Sequence, residues 1–508
     1  MTTKRDVLIV GAGINGLAAA AILARSGCRV IVLEAADTIG GAARSFEFAP
    51  GLRAPLAAHL LPVVTTGPLR QLPLAQFGWR ETAKPVESTA LLPGRDSLDI
   101  DTPTNNTLDA DVIAGWQRFA AEVDKNGALL RHSLERAPLT LLPTSWTERR
   151  QWLRTGVSLF GHGPRRIREV LRVVAMSVTD YVSEFVDDPA IAGVLCQEGL
   201  WGSSFGPRAP GTMLGLLYRR ALLGRAGRWQ QGAGRTQLLL NAIADCARDG
   251  GAEIRTAVRA KRILVESGKA TGVELTSGEV LRALTVVSAL DPQATLLQLI
   301  GPRALEAGHS RAARQIRRRA YCARVFLAVS ALPSFITPDR AARARVVIAA
   351  PPDAIEAAAD ASHDGAVHEE VQLEITVPSA VDSTLAPDGT YVLSISVQFS
   401  PESRDSEQAL LAATIARLAE HDPALPAKVV ASACLSPQTL GDELGSDRAH
   451  WHHTDLTMDQ FLFTRPFALA PRYRLPVDGL FLASAGVHPG GGLTGWPGCL
   501  AAAELLRS

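Results

Sequence analysis

The sequence predicts an α/β fold built on a parallel sheet, and three observations predict it. An apolar strand, Val7–Val10, runs through a glycine turn into an alanine-rich helical pattern at Leu17–Ala24, which stops at Gly27. A second buried strand, Arg29–Glu34 (RVIVLE), follows at once. Two strands joined by a helix in so short a span form a βαβ unit, whose parallel sheet needs helices on both faces. At the far end of the chain the same grammar returns: an apolar strand at Leu480–Ala483, a glycine-rich run, then a helix through Ala501–Leu506.

Composition bounds the rest. At 508 residues the chain is too long for one simple core, so two or three lobes are expected. A formal net charge of +1, with 52 Lys+Arg against 51 Asp+Glu, argues against nucleic acid as a partner. Charged residues at 20% and hydrophobic residues at 47% exclude a largely disordered chain. The six cysteines lie far apart with no C-x-x-C, which fits reduced thiols in a cytosol rather than a disulfide framework or structural zinc. Lys4 and Arg5 precede an apolar stretch, but it breaks into Gly-Ala-Gly, and Arg25 closes the next one. No run reaches the roughly 18 apolar residues of a membrane span, so a soluble, cytoplasmic protein is expected.

Along the chain, residues 91–214 mix helical segments with prolines and many arginines. A strand-rich rhythm returns near Leu214–Ile300: a helix at Thr236–Arg248, then strands near Arg262–Glu266, Ala270–Leu275 and Leu284–Ala289, with turns at Gly268 and Ser277–Glu279. Residues 301–469 mix arginine-rich helix with strands such as Tyr391–Val397. The expected organisation is a nucleotide domain assembled from 1–90, 215–300 and 470–508, with a second lobe from 91–214 and 301–469.

Gly11-Ala12-Gly13-Ile14-Asn15-Gly16 is a G-x-G-x-x-G placed between strand and helix, where it has mechanical meaning. Gly11 makes the tight turn, Gly13 admits a pyrophosphate to the backbone, and Gly16 lets helix and strand approach. The helix N-terminus offers free N–H groups and the positive end of its dipole. Glu34 ends the second strand about 20 residues on, where a carboxylate accepts from ribose hydroxyls and repels a 2′-phosphate. Together these predict a Rossmann-type dinucleotide site that disfavours NADP. The Gly40-Gly41-Ala42-Ala43-Arg44 loop brings a second backbone segment and a cation toward the pyrophosphate or ribityl chain, which a plain NAD dehydrogenase does not need. The closing GLFLASAGVHPGGGLTGWPG, Gly479–Gly498, implies backbone packed against something flat, with Pro497 in the first turn of a helix aimed at it.

These two end motifs resemble the phytoene dehydrogenase-related flavoproteins, which include carotenoid desaturases and retinol saturase-like proteins. The middle of the chain agrees at Gly251–Glu279, Val286–Gly301, Thr376–Pro401 and Asp455–Pro466, and points to the pyridine nucleotide-disulfide oxidoreductase domain-containing branch. The resemblance implies a Rossmann-type FAD-binding domain of the glutathione reductase/amine oxidase kind with an inserted α+β substrate-binding domain. It implies non-covalent FAD, with Gly11, Gly13, Ile14, Asn15, Gly16, Glu34 and Ala35 on the ADP half. Gly40, Gly41, Ala42 and Arg44 fall near the pyrophosphate, and Gly486, Gly491, Gly492, Leu493 and Gly495 near the ribityl chain and flavin ring. Ala260 stands where relatives usually carry a valine beside the adenine. Gly232–Arg235 reads GAGR where a GGMG-like string is usual.

The implied reaction is transfer of a hydride from a hydrophobic small molecule to flavin N5, with oxygen or a quinone as acceptor. Redox-neutral isomerisation of a polyene and a non-catalytic, FAD-stabilised interaction protein are the alternatives. His59, in LAAHLLP, and His488, in the glycine-rich closing segment, are the candidate catalytic residues, each also readable as a hydrogen-bonded loop histidine. His450, His452, His453 and Asp455 match no common metal-ligand spacing, so no metal is expected. Between Arg149 and Arg172, arginines alternate with apolar side chains. Such a stretch can touch an anionic membrane surface or form the solvated face of an ordinary helix.

Overall fold

The computed structural model describes residues 5–62, 67–81, 85–101, 108–139, 146, 148–150, 152–153, 163–224, 227–232, 235–319, 322–468, 470 and 472–507. At its centre is a five-stranded parallel sheet. The strands run in the order Leu480–Leu482, Thr285–Ser288, Asp6–Val10, Arg29–Leu33 and Glu253–Arg255. The expected βαβ unit is there, and both later segments add strands to it. The helix Ile14–Arg25 buries its alanines Ala18 to Ala21 completely. It does so because it lies between the helices Arg235–Asp249 and Trp496–Arg507, and small side chains let three helices approach over one sheet. An antiparallel meander, Ala260–Glu266, Lys269–Leu275 and Val280–Arg282, leads from this sheet toward its fourth strand.

A second sheet has seven strands, ordered Val429–Leu435, Cys322–Val329, Tyr391–Gln398, Gln372–Thr376, Ala344–Ile348, Glu87–Leu91 and Leu98–Asp99. The sequence assigned residues 85–90 to the nucleotide segment, but the strand Glu87–Leu91 pairs in parallel with Ala344–Ile348. Leu327, Leu373, Ile375, Leu393 and Ile395 pack on one face of this sheet against Leu410, Leu418 and Leu425. The opposite face is also buried, but it is polar. It is covered by the helices Pro189–Leu200 and Met213–Leu223.

Positions 151 and 154–162 of the basic stretch, and 233–234 of the GAGR string, lie outside the described residues. In the helix Pro164–Ala175, Leu171 is 67% exposed, and Arg172 pairs with Glu169 and Glu184. No helix among the described residues is long and apolar enough to cross a membrane.

The two ends of the chain meet at the helix starts. A Cβ at Gly498 would overlap the carbonyl oxygen of Asn15, so the closing helix sits directly on the first turn of the opening one. At Gly13 the opposite holds: no atom lies within 4 Å of where a Cβ would be. Gly13 also has an ordinary extended backbone, φ −70° and ψ 171°, that alanine adopts readily. Gly498→Ala is therefore expected to cost about 2–4 kcal/mol of stability, and Gly13→Ala under about 0.5 kcal/mol. Chemical denaturation of the two variants checks the contrast, and equal losses would place the close approach elsewhere.

Candidate functional site

A cradle forms where the first two glycine loops run side by side and the closing helix docks on the opening one. Gly11 follows the first strand and bonds through its N–H to Leu33 O at 2.8 Å. Gly40 N–H donates to Ala12 O at 2.9 Å, and Gly13 and Gly40 form a parallel bridge, so the second glycine loop lies alongside the first. The open space at Gly13 faces the N-terminus of Ile14–Arg25, where helical N–H groups lack intrahelical partners. Beside it, Asn15 Oδ1 is buried without a partner. Glu34 is fixed at the strand end, accepting from Ala12 N at 2.7 Å through one oxygen and Ala36 N at 3.0 Å through the other. Each carboxylate oxygen keeps a second lone pair, the requirement for receiving two ribose hydroxyls. An open helix end, an orphan amide and a tethered carboxylate fit the ADP half of a dinucleotide.

The closing loop is held by Arg465, which is fully buried. Its guanidinium donates to the carbonyls of His452 at 2.6 Å, Ala485 at 2.8 Å and Gln460 at 3.0 Å. Gly491 is gripped from both sides: Tyr218 Oη donates to its carbonyl at 2.6 Å, and its N–H donates to His452 Nδ1 at 3.1 Å. His450, His452 and Asp455 thus work within the chain, with His450 Nε2 3.2 Å from Asp455. Among the described residues no cluster of His, Cys, Asp and Glu is arranged to hold a metal ion.

Next to this loop lies the polar face of the seven-stranded sheet. In register across neighbouring strands stand Arg324, Ser396 and Glu374, and one step along, Ser394, Thr376 and Arg345. Glu374 pairs with Arg345 at 2.6 Å and with Arg219 at 3.0 Å. Arg345 and Arg219 share Glu198 as well. Arg324, also fully buried, donates to Ser394 and Ser396 and to His59 Nδ1 at 3.1 Å. Tyr218 and Arg219 are adjacent on one helix, one bonded to the glycine loop and the other to the sheet. That adjacency places the ionic layer against the cradle.

His59 sits within this layer. Arg324 donates to its Nδ1, so Nε2 carries the proton and donates to Glu374 at 3.1 Å. His488 lies in the closing loop, its Nε2–H donating to Arg136 O at 2.8 Å while Nδ1 is buried without a partner. Gly40, Gly41 and Ala42 line the cradle's second loop, with Ala57 N–H bonding to Ala42 O at 3.0 Å. Arg44 pairs with Glu443 at 2.9 Å. Ala260 opens the meander opposite Leu275, while Val258, two positions earlier, bonds through its N–H to Glu34 O at 2.8 Å. Arg324, Glu374, Arg219, Tyr218 and Arg465 were not singled out from the sequence. The signal for the sheet face was the alternation Ser394-Ile395-Ser396-Val397-Gln398, which reads as a half-solvated strand until helices cover it.

Burial pushes His59, His453 and His488 down to about 4, with Arg324 adding to the effect at His59. The unfolded chain takes up these protons as pH falls through 6.5, and the folded protein only near 4. Folding stability is therefore lost progressively as pH drops through that window, on the order of 3 kcal/mol per histidine, and the loss levels off below it. Thermal unfolding midpoints measured from pH 7 to 4 should show this fall. A flat profile would mean that these rings take up protons as readily in the folded protein as in the unfolded chain.

A profile of the NAD(P)-binding Rossmann-like domain matches residues 9–72. The pyridine nucleotide-disulfide oxidoreductase domain-containing protein 2 of Rattus norvegicus is 27% identical over 99% of this chain and 93% of its own length. The phytoene desaturase (neurosporene-forming) of Rhodobacter capsulatus is 24% identical over 98% of this chain and 92% of its own. In fold, the chain superposes on cyclohexylamine oxidase from Brevibacterium oxydans with a TM-score of 0.61 at 16% identity, covering 99% and 100% of the two chains. The cradle assembled from both chain ends, the layered second sheet and these likenesses along nearly the whole length agree: the chain is an FAD-dependent oxidoreductase related to the pyridine nucleotide-disulfide oxidoreductase domain-containing proteins and the phytoene desaturases.

Proposed function

We propose that this protein holds FAD non-covalently in the three-segment cradle and oxidises a C–H bond of a small, largely apolar molecule, with oxygen or a quinone as final acceptor. The observation that carries the reading is that Gly40 bonds to Ala12 beside Gly13 while the segment after Gly495 docks on the first turn of the opening helix, so that loops from both ends of the chain meet at one helix start. When bound, the flavin supplies the two-electron chemistry. The chain's own residues do the rest. Gly13 and the helix N-terminus receive the pyrophosphate, and Glu34 receives the ribose hydroxyls. Val258 borders the adenine, and the loop fixed by Tyr218, His452 and Arg465 shapes the space beside the ring. The nucleotide unit takes in segments 1–84, 215–300 and 470–508, and the seven-stranded sheet forms the substrate side.

The two candidate histidines divide by their hydrogen bonds. Both ring nitrogens of His59 are spent, on Arg324 and Glu374, so His59 is a positioning residue. His488 keeps a buried Nδ1 lone pair, which makes it the one able to orient a substrate or accept its proton.

The test begins with the visible spectrum of purified protein, which should show a bound flavin that bleaches anaerobically with substrate. Bleaching also separates net oxidation from isomerisation and from a non-catalytic role. Glu34→Arg removes two charge-assisted hydrogen bonds of roughly 1.5–3 kcal/mol each, so FAD retention should fall at least about 100-fold. Gly13→Ala should weaken FAD while leaving the fold intact. A colourless protein that takes up no added FAD would refute the proposal.

A further inference from the structure

The charges on the polar sheet face do not cancel. Among the described residues, the guanidiniums of Arg219, Arg324 and Arg345 form ion pairs with two carboxylates, Glu198 and Glu374. His59 between them is neutral, and farther out Asp101 faces Arg345 and Arg228, which leaves one cation in excess. Both carboxylates are engaged by Arg219 and Arg345, and Glu374 also receives His59. Arg324 has neutral partners alone, the hydroxyls of Ser394 and Ser396 and the ring of His59, and its Nε is buried with no partner. Glu374 lies near enough to act on Arg324, but its oxygens are already taken by Arg219, Arg345 and His59, and a guanidinium removed from water without a direct ion pair is costly to keep.

The atoms around it are donors in want of an acceptor. Arg324 donates into the lone pairs of both serines, which leaves the serine protons free to point outward. Thr376 Oγ1, a hydroxyl on the same face, is also buried without a partner. Gln398 Nε2 ties the sheet to Leu200 O and Ser203 O, in the wall of a cavity of about 240 Å³ that Trp201, Phe205, Leu456 and Met458 make largely apolar. A polar, cationic end and an apolar chamber thus lie side by side.

We propose that the substrate is amphiphilic, with an apolar body and a single carboxylate that Arg324, Ser394 and Ser396 receive. The serine oxygens occupy the guanidinium's donors in the closed arrangement described above. One surplus positive charge matches a monoanion, whereas a phosphate dianion would leave the layer negative. The proposal rests on the reading that substrate lies between the glycine cradle and this sheet, and it adds the chemical class of the molecule.

Isothermal titration calorimetry of the flavin-loaded protein with decanoate and with decanol tests it. Decanoate should bind at least 10-fold tighter than decanol, and Arg324→Gln should abolish that preference while FAD content stays at the wild-type level. If Arg324→Gln fails to fold, Ser394→Ala/Ser396→Ala carries the same comparison. Equal affinity for decanoate and decanol, or a decanoate preference that survives loss of Arg324 or of both serines, overturns the proposal. Loss of FAD from the wild-type protein would instead overturn the cofactor reading, so the two failures are distinguishable.

Discussion

Everything in this molecule depends on how closely the closing helix rests on the start of the opening one. Gly498 touches the Asn15 carbonyl with no side chain between them, and this sets the distance from the first glycine turn to the loop that ends at Trp496. The strand Leu480–Leu482 then has to join the sheet beside Thr285–Ser288, which draws in the middle segment too. The cradle is a consequence of that closure rather than a property of any one motif. Each glycine run alone is a flexible turn; docked together, they enclose a space with donors on one side and a carboxylate at its end.

The second sheet extends the same design with different chemistry. One face is an ordinary aliphatic layer, and the other holds guanidiniums and carboxylates with little access to water. Ion pairs in such surroundings add little net stability over well-packed apolar side chains, because desolvation offsets their attraction. Their value lies in fixing positions. Arg219 and Arg345 lock Glu374, and Glu374 in turn orients His59. The chain Tyr218–Arg219 mechanically couples this layer to the glycine loop, so a shift in one is felt in the other.

How much of this was legible in the sequence follows from what each feature depends on. The opening βαβ unit was readable because strand, turn and helix are local, and their periodicity survives without context. Strands such as Lys269–Leu275 and Tyr391–Gln398 also came through, bounded by turns or marked by alternation. Most of the seven-stranded sheet did not. Its strands are brought together from residues 87 to 435, and its polar face resembles solvent-facing alternation until two helices cover it. His59 was picked for its place in the chain, but its partners Arg324 and Glu374 are more than 250 residues away. That Val258 rather than Ala260 bonds to the Glu34 carbonyl depends on the positive φ of Ala257, which turns the chain there and which spacing alone does not reveal.

The docking of the two ends also dictates when the protein can acquire its prosthetic group. Translation delivers Gly11–Gly16 long before Leu480, a delay of tens of seconds at about 5–20 residues per second. Throughout that interval the ribosome-bound chain holds half a binding pocket and an incomplete parallel sheet, with the flank of Ile14–Arg25 uncovered. Capture of the nucleotide thus waits until the helix Trp496–Arg507 has been made, and a chain that stalls before it leaves an apolar surface for chaperones to shield.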